Sequence, residues 1–166
     1  MTIVRKLALS ITVMGCAVAL AHAQQTDVPG GDASRGKTLV ESNGCFDCHR
    51  IGEQGSRLGP NLSDIGTRRT PDRLQKSLIA PDEEVLYENR FVRVVTKEGT
   101  MTGRLLNQDA MSVQMLTPKE ELKTYLRANI REYTVLDKGL MPSSQGKLSD
   151  QQVADIVAYL ASLKGS

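Results

Sequence analysis

The chain has 166 residues, enough for one domain or for one domain carrying a large insertion, and its 21 Lys and Arg stand against 19 Asp and Glu for a formal charge of +2. Two of those basic residues, Arg5 and Lys6, fall in an N-terminal leader, so the remainder balances at 19 against 19. That balance, with no basic tract, argues against a nucleic-acid partner and against strong whole-molecule electrostatic steering. Trp is absent and Phe and Tyr are few, at 2 and 4.

Arg5 and Lys6 precede an uncharged apolar run from Leu7 to Leu20, and Ala21-His22-Ala23 is a small-x-small cleavage site. Residues 1–23 therefore read as a signal peptide that exports the chain to the periplasm or beyond, with the mature chain starting at Gln24. The run is short for a spanning helix. Val13-Met14-Gly15-Cys16 is a poor likeness of a lipoprotein box, and membrane attachment is expected only if Cys16 is lipidated. Residues 24–31, polar and ending Pro29-Gly30-Gly31, read as a flexible leader. Asp32 then N-caps a helix predicted to reach about Ser42.

Cys45-Phe46-Asp47-Cys48-His49 follows. A C-x-x-C-H pentapeptide is the attachment signature of a c-type haem. Two intervening residues let one turn span the two vinyl groups across which the thiols of Cys45 and Cys48 add, and the next residue, His49, lies under the ring as proximal iron ligand. Two other readings compete. Structural zinc takes four protein ligands, and past residue 23 only Cys45, Cys48 and His49 are soft donors. A thioredoxin-like dithiol follows a buried strand, whereas the residues before Cys45 read as a helix.

Residues 50–61 carry Gly52, Gly55, Gly59 and Pro60 without periodicity and read as a loop. Thr70-Pro71 opens a helix, with Leu74, Leu78 and Ile79 at helical spacing, that Ala80-Pro81 stops. The pattern then turns β-like: Phe91–Thr96, Met101–Leu106, Ser112–Leu116, Leu122–Leu126 and Ile130–Leu136 predict an antiparallel subdomain of three to five strands over residues 87–135. The final helix starts at a capping box, Ser149 with Gln152, and carries Val153, Ile156, Val157, Leu160 and Leu163 on one stripe. No second histidine survives removal of the leader, so a second axial ligand would be a thioether, from Met101, Met111, Met115 or Met141. Met115 alternates with Val113 as core filler, and Met141 stands in an irregular loop before the last helix.

These residues resemble class I, mono-haem bacterial cytochromes c. The likeness spans Asp32 to about Ala80 and Leu140 to Leu163, and rests on Gly36, Cys45/Cys48/His49, Leu58-Gly59-Pro60-Asn61-Leu62, Met141-Pro142 and Ala158-Tyr159-Leu160. It implies a mostly α, cytochrome c-like helical haem fold over 32–166, interrupted by the inserted β subdomain at 87–135. It implies one covalent haem c with iron held by His49 and Met141, and Pro60 offering its carbonyl to the His49 ring. It implies Gly36 at the crossing of the first and last helices, where Val40 meets Ile156 and Tyr159. The expected function is single-electron transfer between redox partner proteins, donor and acceptor unspecified, by a protein that is not itself an enzyme. Two alternatives follow: the haem subunit of a larger dehydrogenase, for example a pyrroloquinoline-quinone one, and a ligand sensor or peroxidase-like enzyme with open iron. The inserted module reads as a cap over one haem face or as a partner-docking surface.

Overall fold

A computed structural model describes residues 30–165. The leader, Cys16 and most of the 24–31 segment lie outside the described residues. The chain runs α1 (Ala33–Ser42), a short hairpin β1 (Arg50–Ile51) and β2 (Gln54–Gly55), α2 (Ile65–Arg68), α3 (Pro71–Ile79), five strands β3 (Phe91–Thr96), β4 (Gly99–Gln108), β5 (Ser112–Leu116), β6 (Leu122–Leu126) and β7 (Ile130–Val135), then α4 (Asp150–Ser162). The expectation of a mostly α protein is corrected here, because strands hold about as many described residues as α-helices do. The loop expected over 50–61 contains the β1–β2 hairpin.

The helices form one layer around α4. Asp32 caps α1 by accepting from the Ser34 and Arg35 amides, and the Ser149–Gln152 box opens α4 with both of its reciprocal bonds. Thr70 occupies the N-cap of α3, but its side chain makes no capping bond there; Pro71 fixes the first turn instead. Val40, Ile65, Leu74, Leu78, Val153, Ile156, Val157 and Leu160 are buried together, with Tyr159 packed on the cluster. Helix α1 crosses α4 at Gly36, which meets the Asp155 carbonyl and Tyr159 Cβ with no room for a side chain. Asp155, 2% exposed, receives Arg35 Nε on Oδ2 and Arg35 Nη2 on Oδ1, each at 2.8 Å, and the Asp32 amide also donates to Oδ1 at 2.8 Å. A buried carboxylate is tolerated there because its acceptors are satisfied by charge-assisted bonds.

The five long strands form one antiparallel sheet in the order β6-β5-β4-β3-β7. Val92, Val94, Leu105, Val113 and Met115 are almost fully buried on one face, joined by Tyr125 and Tyr133 from the edge strands. That cluster contains no helical residue; Tyr125, Ile130, Tyr133 and Val135 of the edge strands pack against its centre. The register shifts at Val95/Thr96 and Leu105/Asn107 supply irregularities of the kind that bend and twist a strand. The sheet thus keeps a core separate from that of the helices.

Strand alternation sends a second set of residues to the opposite face. Phe91 pairs with Arg104, and Arg104 with Leu116, forming a row across β3, β4 and β5. Phe91 and Leu116 are 5% and 7% exposed, so this end of the outer face is covered by the rest of the protein. The sheet is tied to the loop before Leu58: Glu120 accepts from the Arg57 amide at 3.3 Å and from Arg57 Nε at 3.4 Å, while Arg104 Nη2 donates to the Arg57 carbonyl at 3.0 Å.

Candidate haem site

Cys45 to Asp47 form a single 3-10 turn directly after α1, and the His49 amide closes it by donating to the Cys45 carbonyl at 2.9 Å. The turn brings Cys45, Cys48 and His49 to the wall of a cavity of about 550 Å³. That volume is within the ordinary range for a small-molecule or cofactor site, about 300–1,000 Å³. The apolar wall is supplied by every helix, including Val40 of α1, Ile65 of α2, Leu78 of α3 and Ile156 of α4.

His49 is the best-defined group. Its Nδ1 lies 2.9 Å from the Pro60 carbonyl oxygen, which can only accept, so Nδ1 carries the proton. Burial pushes the imidazole pKa down, and the Pro60 bond opposes that without reversing it. The ring is therefore neutral at neutral pH, with the lone pair of Nε2 left to bind a metal. Gly59 makes this clamp possible: a Cβ there would sit 3.0 Å from the Cys48 oxygen and from the ring atoms Cε1 and Nδ1. Cys45 and Cys48 are both free thiols, and burial raises the pKa of each, helped at both by the negative charge of Asp47.

Met141 lines the same cavity, between Leu140 and Pro142, and packs on the helical cluster. Its loop is pinned on both sides. The Gly139 amide donates to Asp82 Oδ1 at 3.1 Å, the Ser144 amide to the Leu78 carbonyl at 2.8 Å, and the Ser143 hydroxyl to the Ile79 carbonyl. The other candidate methionines do not line the cavity: Met115 is 0% exposed inside the sheet, Met101 packs beside it, and Met111 is 73% exposed at the turn between β4 and β5. The structure thus brings Cys45, Cys48, His49, Pro60 and Met141 to one cavity. It also brings Phe91 and Arg104, which the sequence reading passed over because strand alternation alone does not say which protein surface an outer face will meet.

The competing readings fare worse. Among the described residues no group of three or more His, Cys, Asp or Glu side chains is arranged to hold a metal ion by itself. The element before Cys45 is α1, not a strand. A second groove, of about 540 Å³ at the far end of the sheet between residues 96–101 and 123–129, contains no cysteine or histidine.

A tetrapyrrole fits the donors present: two neighbouring thiols, one oriented neutral imidazole, a thioether and an apolar slot. Fold and site together define a domain built to hold haem covalently. The family model described as Cytochrome c matches residues 33–114, and the chain belongs to the cytochrome c family. A search of curated proteins returned no match. Membership implies covalently bound haem c with its iron, and haem-based electron transfer in general. The matched stretch includes the attachment pentapeptide and runs into β5, stopping short of Met141 and α4.

Proposed function

We propose that the chain is a class I bacterial c-type cytochrome that carries single electrons between periplasmic redox partners through one haem with His49 and Met141 as axial ligands. The observation that carries this reading is the neutral His49 ring, clamped at Nδ1 by Pro60, on the wall of an apolar cavity that Met141 shares. The bound haem supplies the ferrous–ferric couple.

The protein's own part is positional. Cys45 and Cys48, both on the cavity wall, would hold the porphyrin covalently, each S–H adding across one vinyl C=C so that sulfur joins one carbon and hydrogen the other. Pro60 holds the His49 tautomer and raises the basicity of Nε2. The pinned 139–144 loop keeps the thioether in place in both oxidation states, which keeps reorganisation small. Buried aliphatic walls exclude water, and a thioether ligand with little water favours a high potential. If His49 and Met141 both hold the iron, no site on it would remain for substrate, and the chain would act as a carrier rather than as an enzyme. Export by residues 1–23 would bring it to redox partners outside the cytoplasm, and the absence of a basic tract favours protein partners over nucleic acid. Among the described residues no helix is long and apolar enough to cross a membrane.

The test is the visible spectrum of the exported, matured protein. Low-spin ferric haem with a far-red sulfur–iron band, lost in Met141→Ala, is the expected result. A high-spin ferric spectrum at neutral pH in the wild type refutes the axial pair and with it the carrier role. A second reading, a haem subunit of a larger dehydrogenase, draws on edge strand β6, where Leu122 and Leu126 are 66% and 55% exposed on an unpaired sheet edge.

A further inference from the structure

The inserted sheet contributes a cation to the cavity wall. Arg104 lies at the centre of the row Phe91–Arg104–Leu116, between two buried apolar side chains of adjacent strands. A guanidinium in that setting loses water and needs an acceptor for each buried N–H. Nη2 has one, the Arg57 carbonyl. Nε has none: it is the buried side-chain nitrogen or oxygen without a hydrogen-bond partner among the described residues. No carboxylate pairs with Arg104 among those residues, and burial lowers its pKa with nothing offsetting the shift.

The other cavity-lining charges are differently placed. Arg68 is paired with Asp64 at 2.8 Å, and Arg69 with Glu84 at 2.9 Å. Lys147 and Glu88 are exposed to solvent, and neutral His49 is committed to Pro60. Arg104 is therefore the lining cation without a carboxylate partner: protein seals its Nε, Nη2 is held by Arg57, and Nη1, neither sealed nor bonded among the described residues, is the donor left for an anion in the cavity.

We propose that Arg104 binds a carboxylate of the molecule in the cavity, a haem propionate, so that the inserted β-sheet completes the haem site instead of merely covering it. This rests on the haem reading above. Arg104 touches a ring substituent and not the iron, so it is a positioning residue that tunes the couple electrostatically. A cation held beside the propionate favours ferrous over ferric iron and keeps the propionate ionised. Without it, the propionate is left in an apolar wall, its pKa rises, and its titration appears in the redox equilibrium.

The experiment measures midpoint potential against pH for full-length wild type, Arg104→Gln and Arg104→Lys, each exported and matured in a host that attaches haem c. The expected result is a lower potential in R104Q with a steeper fall as pH rises through the neutral range, a flatter wild-type profile, and a profile close to wild type in R104K. Superimposable wild-type and R104Q profiles at equal haem content overturn the proposal. If R104Q does not mature, R104K decides: a flat profile supports a carboxylate partner, and a steep one overturns it, since a side chain needed only for the Arg57 contact would not be rescued by charge. Wild type that emerges colourless is a separate failure, scored first, and overturns the haem reading together with this one.

Discussion

Gly36→Ala sets two physical effects against each other at the α1–α4 crossing. In an isolated helix the change should stabilise, since Ala exceeds Gly in helix propensity by about 1 kcal/mol. In this fold the new methyl would lie 2.9 Å from Tyr159 Cβ and closer still to the Asp155 carbonyl. Carbon atoms at rest sit about 3.5–4.0 Å apart, so α1 must withdraw by roughly 1 Å, and a gap of that size forfeits about a quarter to a half of each contact it opens. The contacts at stake include Val40 and Ile156, each 1% exposed, and both line the haem cavity. The obstruction is backbone, which cannot rotate away, so the overpacking penalty belongs at the upper end of its usual range, about 3 kcal/mol. Net of propensity, G36A should lose about 2 kcal/mol, or roughly 6 °C in Tm for a domain of this size. Urea unfolding of the haem-loaded protein, followed by far-UV circular dichroism and by the Soret band, reads both the helices and the cavity. A G36A protein as stable as wild type, or more so, would refute the close-crossing argument.

Two further substitutions probe the same frame. The Arg35 hydrogen bonds hold the Asp155 carboxyl far below the usual carboxylate range. A depressed folded-state pKa stabilises above the unfolded value of about 3.9 and is lost as pH falls through and below it. Asp155→Asn should therefore be less stable than wild type at neutral pH, with the gap closing in acid; a gap that stays constant down to about pH 2.5 would remove Asp155 as its cause. At the clamp, Gly59→Ala places a methyl 3.0 Å from the His49 ring and the Cys48 carbonyl, so it should cost about 1–2 kcal/mol and displace the imidazole. Denaturant midpoint and the ferric spectrum should both move, and a variant identical to wild type in both would show that the ring does not need that space.

Much of this protein is written in short stretches of its chain. The Cys45–His49 pentapeptide names its cofactor chemistry because covalent spacing is local. The Ser149–Gln152 box and the stripe from Val153 to Leu160 specify α4 because capping and 3.6-residue periodicity are local as well. The five strands could be read from β-branched runs and turns to within a few residues, although β4 starts at Gly99, earlier than the turn signal implied.

What the chain alone left open was placement across long separations in sequence. Alternation marked Met115 as core filler and an irregular loop marked Met141, but only the fold left Met111 in solvent, packed Met101 beside the sheet core and pinned the Met141 loop against the end of α3. The Asp155–Arg35 pair spans 120 positions, and nothing near either residue announces it. Nothing near Arg104 in the chain marks it as a site residue. It is a cavity residue because the outer face of the sheet meets the loop at Arg57, a contact between segments 47 positions apart. Local pattern fixes which way a side chain leaves its strand or helix, and tertiary packing alone decides what it then meets.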